Sequence, residues 1–415
     1  MNKQKKGLVP ELRFPDFKDE APWINRLLAS VLNEHGLKSS GKEIVFSVSV
    51  HKGLINQIEH LGRSFSASNT DNYNRVLPGD IVYTKSPTGD FPLGIIKQSR
   101  VDSPVIVSPL YGVFTPETRG LGTLLDAYFE TPANTRLYLE PLVQKGAKNT
   151  ISITNKKFLS GRLPLPISQV EQEKLGLFID TIDELIDLHT QKLNALKNHK
   201  KGLIQQLFPS GGEVVPKLRF PEYRNKAEWK KIVLKNLVEI RSGFSPSKYV
   251  LDARAEIAFL KVEDLNNCEK YQIKSRFYSN DREGIVPAGS VIFPKRGAAI
   301  SLNKVRLNVN DVLIDTNLMA LTPNNKIHTE FLYYLILSIG LFKIADMSTI
   351  PQINNKHINP YEVLVPSKEE QEKVIGLLSS VDSLISAQVG IVDELKLHKS
   401  GLTQKLFPVM DGVVQ

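Results

Sequence analysis

The sequence predicts an α+β protein made of two mixed α/β domains in tandem, each followed by a long helix. The two helices are expected to pair as an antiparallel coiled coil, relating the halves by an approximate twofold axis. Three observations predict this: a phrase that occurs twice, a heptad pattern that occurs twice, and a positive charge divided equally between the halves. The expected boundaries are 1–166 and 210–365 for the domains, and 167–209 and 366–408 for the helices.

The repeated phrase comes first. PELRFPDF at Pro10–Phe17 returns as PKLRFPEY at Pro216–Tyr223, with Trp23 and Trp229 following at the same distance. EQEK occurs at Glu171–Lys174 and at Glu370–Lys373. GLIQQLFP ends the first half at Gly202–Pro209, and GLTQKLFP ends the second at Gly401–Pro408. ITNK at Ile153–Lys156 matches INNK at Ile353–Lys356. A repeat near 200 residues is too long for a solenoid unit and marks two similar domains.

The helices follow from periodicity. Leu175, Ile179, Ile182, Ile186, His189, Leu193, Leu196, Lys200, Leu203 and Leu207 alternate steps of four and three. Val374, Leu378, Val381, Ile385, Gln388, Val392, Leu395, Lys399, Leu402 and Leu406 do the same. A mean period of 3.5 residues is the coiled-coil signature. No proline interrupts either run. A parallel pair would set Lys200 beside Lys399 in one buried layer. An antiparallel pair is expected to set each lysine against an apolar residue, its ammonium reaching water.

Charge suggests the partner. The chain of 415 residues has 53 basic and 44 acidic side chains, net +9. Residues 1–165 and 213–365 each carry +6, whereas the helical stretches carry −1 and −2. Two equal basic modules joined by a near-neutral spacer suit a bipartite anionic target such as duplex DNA.

The middles of the halves differ most. LPGDIVYTKSPTGD (Leu77–Asp90) and VPAGSVIFPKRGAA (Val286–Ala299) both read as turn, strand and basic loop. Thr84, Lys85 and Ser86 in one loop and Lys295 and Arg296 in the other are candidate DNA contacts, since such side chains reach phosphates or guanine edges. The loops before ITNK and INNK add Lys145, Lys148, Asn149, Gln352 and Asn354, because Asn and Gln can read adenine. Arg63, Arg241 and Lys248 complete the candidates.

Other chemistry finds little support. GLKSSGKE (Gly36–Glu43) resembles a phosphate-binding loop, but Glu43 stands where Ser or Thr should hold magnesium. INPYE (Ile358–Glu362) is similar to the Asn-Pro-Pro-Tyr motif of adenine methyltransferases but lacks its second proline. No histidine spacing suits a metal, and one cysteine, Cys268, allows no internal disulfide. FLYYLILSIGLF (Phe331–Phe342) is too short to span a bilayer and is expected to be a buried helix. No membrane association and a cytoplasmic location are expected.

The two LRFP openings with a downstream Trp, the divergent middles and the EQEK-led helices ending in GL-x-Q-x-LFP resemble the DNA specificity subunit of type I restriction–modification systems. The resemblance covers nearly the whole chain. It implies that each middle is a target recognition domain reading one half of a split site on double-stranded DNA. It implies that the helices dock two adenine-N6 methyltransferase subunits, joined by restriction subunits carrying nuclease and motor. S-adenosylmethionine, ATP and magnesium would then belong to those partners, with no cofactor and no catalytic residue in this chain.

Overall fold

The computed structural model describes residues 8–61, 69–145, 151–347 and 350–408. The chain divides into two compact units, Met1–Thr190 with Gly390–Gln415, and Gln191–Val389. Each long helix is therefore shared between the units.

In the first unit an antiparallel sheet takes the order Leu32–Asn33, Gly112–Pro116, Ile81–Tyr83, Ile96–Gln98. The helix Arg119–Phe129 packs on it, and its N-terminus is capped by the Thr118 hydroxyl, which accepts from Leu121 N–H. The Pro-Gly turn before Ile81 needs Gly79 at φ 89°. Asp80 closes this turn, accepting from Leu77 N–H at 2.7 Å and from the Thr115 hydroxyl at 2.7 Å. Ile24–Leu27 pairs antiparallel with Arg162–Leu165, so the start of the domain is tied to its exit strand.

The second unit repeats the plan with a five-stranded sheet: Val238–Ser242, Leu318–Pro323, Val291–Pro294, Arg306–Asn308 and Tyr271–Gln272. Lys230–Val233 pairs with Glu362–Val365 as in the first unit. The apolar run at Phe331 forms the helix Thr329–Ile339, buried from Phe331 to Ile336 and ended by Gly340 at φ 82°. It is a core helix, as its composition predicts.

Strand register fixes the correspondence. Ile81 lies opposite Phe114, and Val291 lies opposite Leu321. Thr115-Pro116 and Thr322-Pro323 follow those partners in the sequence. Counting four residues on from Ile81 and Val291 reaches Lys85 and Lys295.

The long helices are Gln169–Leu207 and Lys368–Leu406, each 39 residues, or about 58 Å at 1.5 Å per residue. Ser168 and Ser367 cap them, their hydroxyls accepting from the N–H of Glu171 and Glu370. Every seam position named above is buried or half-buried. Off the seam, Leu177, Leu188 and Leu397 are 67%, 54% and 72% exposed. In the first unit Leu175 and Ile179 share a core with Leu406 and Phe407. In the second, Ile204, Leu207 and Phe208 share a core with Val374 and Leu378. Each unit thus joins the beginning of one helix to the end of the other, which is antiparallel pairing. The second helix contains a window long and apolar enough to cross a membrane by length and composition, and its seam residues Val374, Leu378 and Leu406 lie in these cores.

The seam lysines differ from expectation. Neither ammonium is simply released to water. Lys200 Nζ meets Asp382 at 2.6 Å in the second unit. Lys399 Nζ meets Asp183 at 2.6 Å and Glu130 at 2.8 Å in the first. All four seam lysine and aspartate side chains are at most 23% exposed. A half-buried ammonium without a counter-charge is costly, and the antiparallel register supplies one from the opposite helix.

Candidate nucleic-acid interface

The repeated motifs prove to be a docking latch. Arg13 donates from Nε and Nη2 to the two carboxylate oxygens of Glu171 at 2.7 and 2.8 Å. It also donates to the carbonyls of Glu20 and Ala21. Trp23 Nε1 donates to the same carboxylate at 3.2 Å. Arg219, Glu370 and Trp229 repeat the arrangement at 2.8, 2.9 and 3.0 Å. The carboxylate sits in the first turn of its helix, where the dipole favours negative charge. The glutamine of EQEK links onward: Gln172 Oε1 accepts from Thr118, and Gln371 Oε1 accepts from His328 N–H. The phenylalanine of LFP closes the other side, Phe407 edge-on to Trp23 and Phe208 edge-on to Trp229. These residues recur because they hold the α/β domain on the helix ends, which leaves the loops free to diverge.

The two basic loops sit at equivalent strand ends. Thr84 N–H donates to Ile95 C=O at 3.0 Å, and Lys295 N–H donates to Asn317 C=O at 2.8 Å. Lys85 takes φ 59°, a left-handed conformation unusual for a side-chain-bearing residue. Gly94 makes room for it: a Cβ there would stand 2.8 Å from Lys85 N and 2.9 Å from its Cα. Lys85 and Lys295 are half-buried, and neither forms a salt bridge among the described residues. Burial pushes the Lys85 ammonium below the ordinary lysine pKa, against the pull of Glu34. Burial, reinforced by Arg296, pushes Lys295 down, against Asp315. Two partly desolvated lysines at the same strand end, without a matched counter-ion, are suited to meet an anion. Arg296 beside Lys295 is exposed and has no salt bridge among the described residues. Ser86 is exposed.

Other candidates stand differently. Thr84 is 3% exposed, and its hydroxyl accepts from Ile95 N–H at 3.0 Å. In the free protein its hydroxyl is spent on shaping the loop. Asn354 caps the short helix Asn355–Ile358, its carbonyl oxygen accepting from Lys356 N–H. Arg241 donates to Ile285 C=O and pairs with Glu239. Lys248 pairs with Glu283 and lies 3.8 Å from the Phe244 ring centroid. Gln352 is half-buried in a backbone ladder with Arg296 and Asp346. Arg63, Lys148, Asn149 and the Lys145 side chain lie outside the described residues. Gly94 escaped the sequence reading, although a glycine in a polar loop after a strand signals close backbone approach.

The apparent phosphate loop is filled by its own side chain. Glu43 accepts from Ser40 hydroxyl at 2.8 Å and Ser40 N–H at 2.9 Å, and pairs with Arg75 at 2.8 Å. The Ser40 hydroxyl, the backbone and Arg75 hold its carboxyl down at about 2. INPYE is the turn between Asn355–Ile358 and Glu362–Val365, with Tyr361 N–H donating to Ile358 C=O. Among the described residues no cluster of His, Cys, Asp and Glu is placed to hold a metal.

Residues 226–397 match the family model described as the Type I restriction modification DNA specificity domain. The MjaIX specificity subunit of a Methanocaldococcus jannaschii type I restriction enzyme is 29% identical, over 38% of this chain and 39% of that protein. The MjaVIII specificity subunit from the same organism is 23% identical, over 56% of this chain and 58% of that protein. The matched regions thus span between about two fifths and three fifths of these relatives. The crystal structure of the S subunit from M. genitalium shares the fold with TM-score 0.55 and 14% identity, covering 97% of this chain and all of that one. A chain from a structural study of type I restriction–modification complex assembly gives TM-score 0.54 at 16% identity, covering 93% and 97%. The domain match lies on the second α/β unit and most of its helix, and the latch of the first half repeats that of the second; over these regions the chain is similar to type I restriction–modification specificity subunits.

Proposed function

We propose that this chain is the non-catalytic, sequence-specific DNA-reading subunit of a type I restriction–modification complex. Each α/β unit reads one half of a bipartite site. The paired helices set the gap between the halves and dock two methyltransferase subunits. Restriction subunits join that assembly, and S-adenosylmethionine, ATP and magnesium serve the partners.

The observation that carries this reading is the pair of register-equivalent lysines, Lys85 and Lys295. Both are half-buried, lowered in pKa and without a salt bridge among the described residues. Phosphate or a guanine edge provides the missing acceptor. The exposed apolar side chains of Leu177, Leu188 and Leu397, off the seam, support protein docking on the helices.

The test is methylome sequencing of cells expressing the chain with its methyltransferase subunit. A split motif with a fixed gap is the expected result. Half-sites that degenerate one at a time in Lys85→Ala and in Lys295→Ala with Arg296→Ala support the assignment. A contiguous motif overturns it, as does methyl transfer to DNA by the purified chain alone with labelled S-adenosylmethionine.

A further inference from the structure

The two units carry the same hairpin with different residues between its strands. In the first unit Gln144 pairs with Ser152 and Lys145 with Ile151. In the second, Asp346 and Gln352 exchange both backbone hydrogen bonds at 2.9 and 3.0 Å. Ser152 directly precedes ITNK's Ile153, and Gln352 directly precedes INNK's Ile353, so the hairpins occupy equivalent places. Between the outer paired residues the first sequence is basic and polar, with Lys145, Lys148 and Asn149, whereas the second includes Met347, Ile350 and Pro351.

The second hairpin is also fastened to the basic loop. Gly297 N–H donates to Pro351 C=O at 2.8 Å, and Ile353 N–H donates to Lys295 C=O at 2.8 Å. Arg296 and Gln352 form a backbone bridge. Met347 and Ile350 are 51% and 58% exposed. Single exposed apolar residues are ordinary. Here each adjoins the fastened segment: Met347 follows Asp346, which pairs with Gln352, and Ile350 precedes Pro351, whose carbonyl holds Gly297 N–H beside the exposed Arg296, where an anionic polymer is expected. In the major groove the apolar feature of a base pair is the thymine C5-methyl group.

We propose that Met347 and Ile350 read thymine methyl groups in the half-site recognised by the second unit. This rests on the DNA-reading function proposed above, and it assigns a base chemistry to one unit. Arg296 and Lys295 supply the charge that brings the hairpin to the groove. The apolar pair discriminates thymine from the other bases by methyl burial.

The experiment uses the full chain assembled with its methyltransferase subunit and duplexes bearing its methylated motif. The Lys295→Ala, Arg296→Ala variant first identifies the half-site belonging to the second unit. Thymine in each half-site is then replaced by deoxyuridine, which removes only the methyl group. The expected loss in affinity is about fourfold per thymine read, the factor for burying one methyl group, and only in the second unit's half-site. Ile350→Ser with Met347→Ser is expected to bind thymine and deoxyuridine duplexes equally. Equal binding of both duplexes by the unaltered chain overturns the proposal, as does a half-site without thymine. So does a rise in 2-aminopurine fluorescence at an unstacked step with no deoxyuridine effect, which would make Met347 and Ile350 wedges instead. Failure to bind the motif at all would strike the proposed function itself, a distinct outcome.

Discussion

Arg13 and Glu171 stand 158 positions apart and form a two-pronged ion pair with both side chains at most 5% exposed. The pair fastens the opening segment of the chain to the first turn of a long helix. Breaking such a pair from one side strands a buried charge, at about 3–5 kcal/mol. Arg13→Ala and Glu171→Ala are each expected to destabilise the first unit by that amount in denaturant unfolding. The double variant is expected to cost clearly less than the sum of the two. Additive losses would show that the pair does not act as a unit.

The seam ion pairs predict a charge-swap result. Asp382 also meets Lys270 Nζ at 3.4 Å, so Asp382→Lys sets a new ammonium beside those of both Lys200 and Lys270 and is expected to lower the melting temperature. Adding Lys200→Asp restores an attractive pair at the same site and is expected to recover part of the loss. No recovery in thermal unfolding would mean that the attraction between positions 200 and 382 is outweighed by the remaining repulsion from Lys270.

Lys85 and Lys295 predict a pH dependence of DNA binding. Burial lowers their pKa in the free protein, and a bound phosphate raises it. The contribution to affinity is therefore full below the free-protein pKa and is lost as pH rises through the bound-state value. Affinity measured from pH 7 upward is expected to fall at alkaline pH, and to fall less in Lys85→Ala and Lys295→Ala. The salt slope of each variant is expected to drop by about 0.9 for each phosphate no longer neutralised. Identical pH and salt profiles for all three proteins would remove these lysines from the interface.

A heptad inserted after Leu193 and another after Val392 keep the seam in phase. Lys200–Asp382 and Lys399–Asp183 each retain their partners, because both helices lengthen by the same amount. Each helix grows by about 10 Å, and the methylated motif is expected to gain up to about three base pairs between unchanged half-sites at 3.4 Å per pair. An active complex with the original gap, or with altered half-site bases, would sink the spacer role.

Periodicity and repetition made much of the architecture legible. The seam, the helix ends and the tandem plan rest on local patterns, since a helix displays its packing stripe every three to four residues. Partnerships were not legible. Nothing adjacent to Arg13 in sequence announces Glu171, and the repeat showed only that the phrase mattered. Thr84 and Lys85 are neighbours along the chain, yet the strand end buries one hydroxyl against Ile95 and turns the next residue through a left-handed step over Gly94. Asn354 and Gln352 read alike as amide side chains, and only the fold makes one a helix cap and the other part of a hairpin ladder. The two-fold repetition, the heptad period and the division of charge could be read directly, because these are carried by residue order and spacing. Which polar groups are satisfied within the protein emerges only in the fold, because pairs such as Arg13–Glu171 and Lys200–Asp382 join segments more than a hundred residues apart.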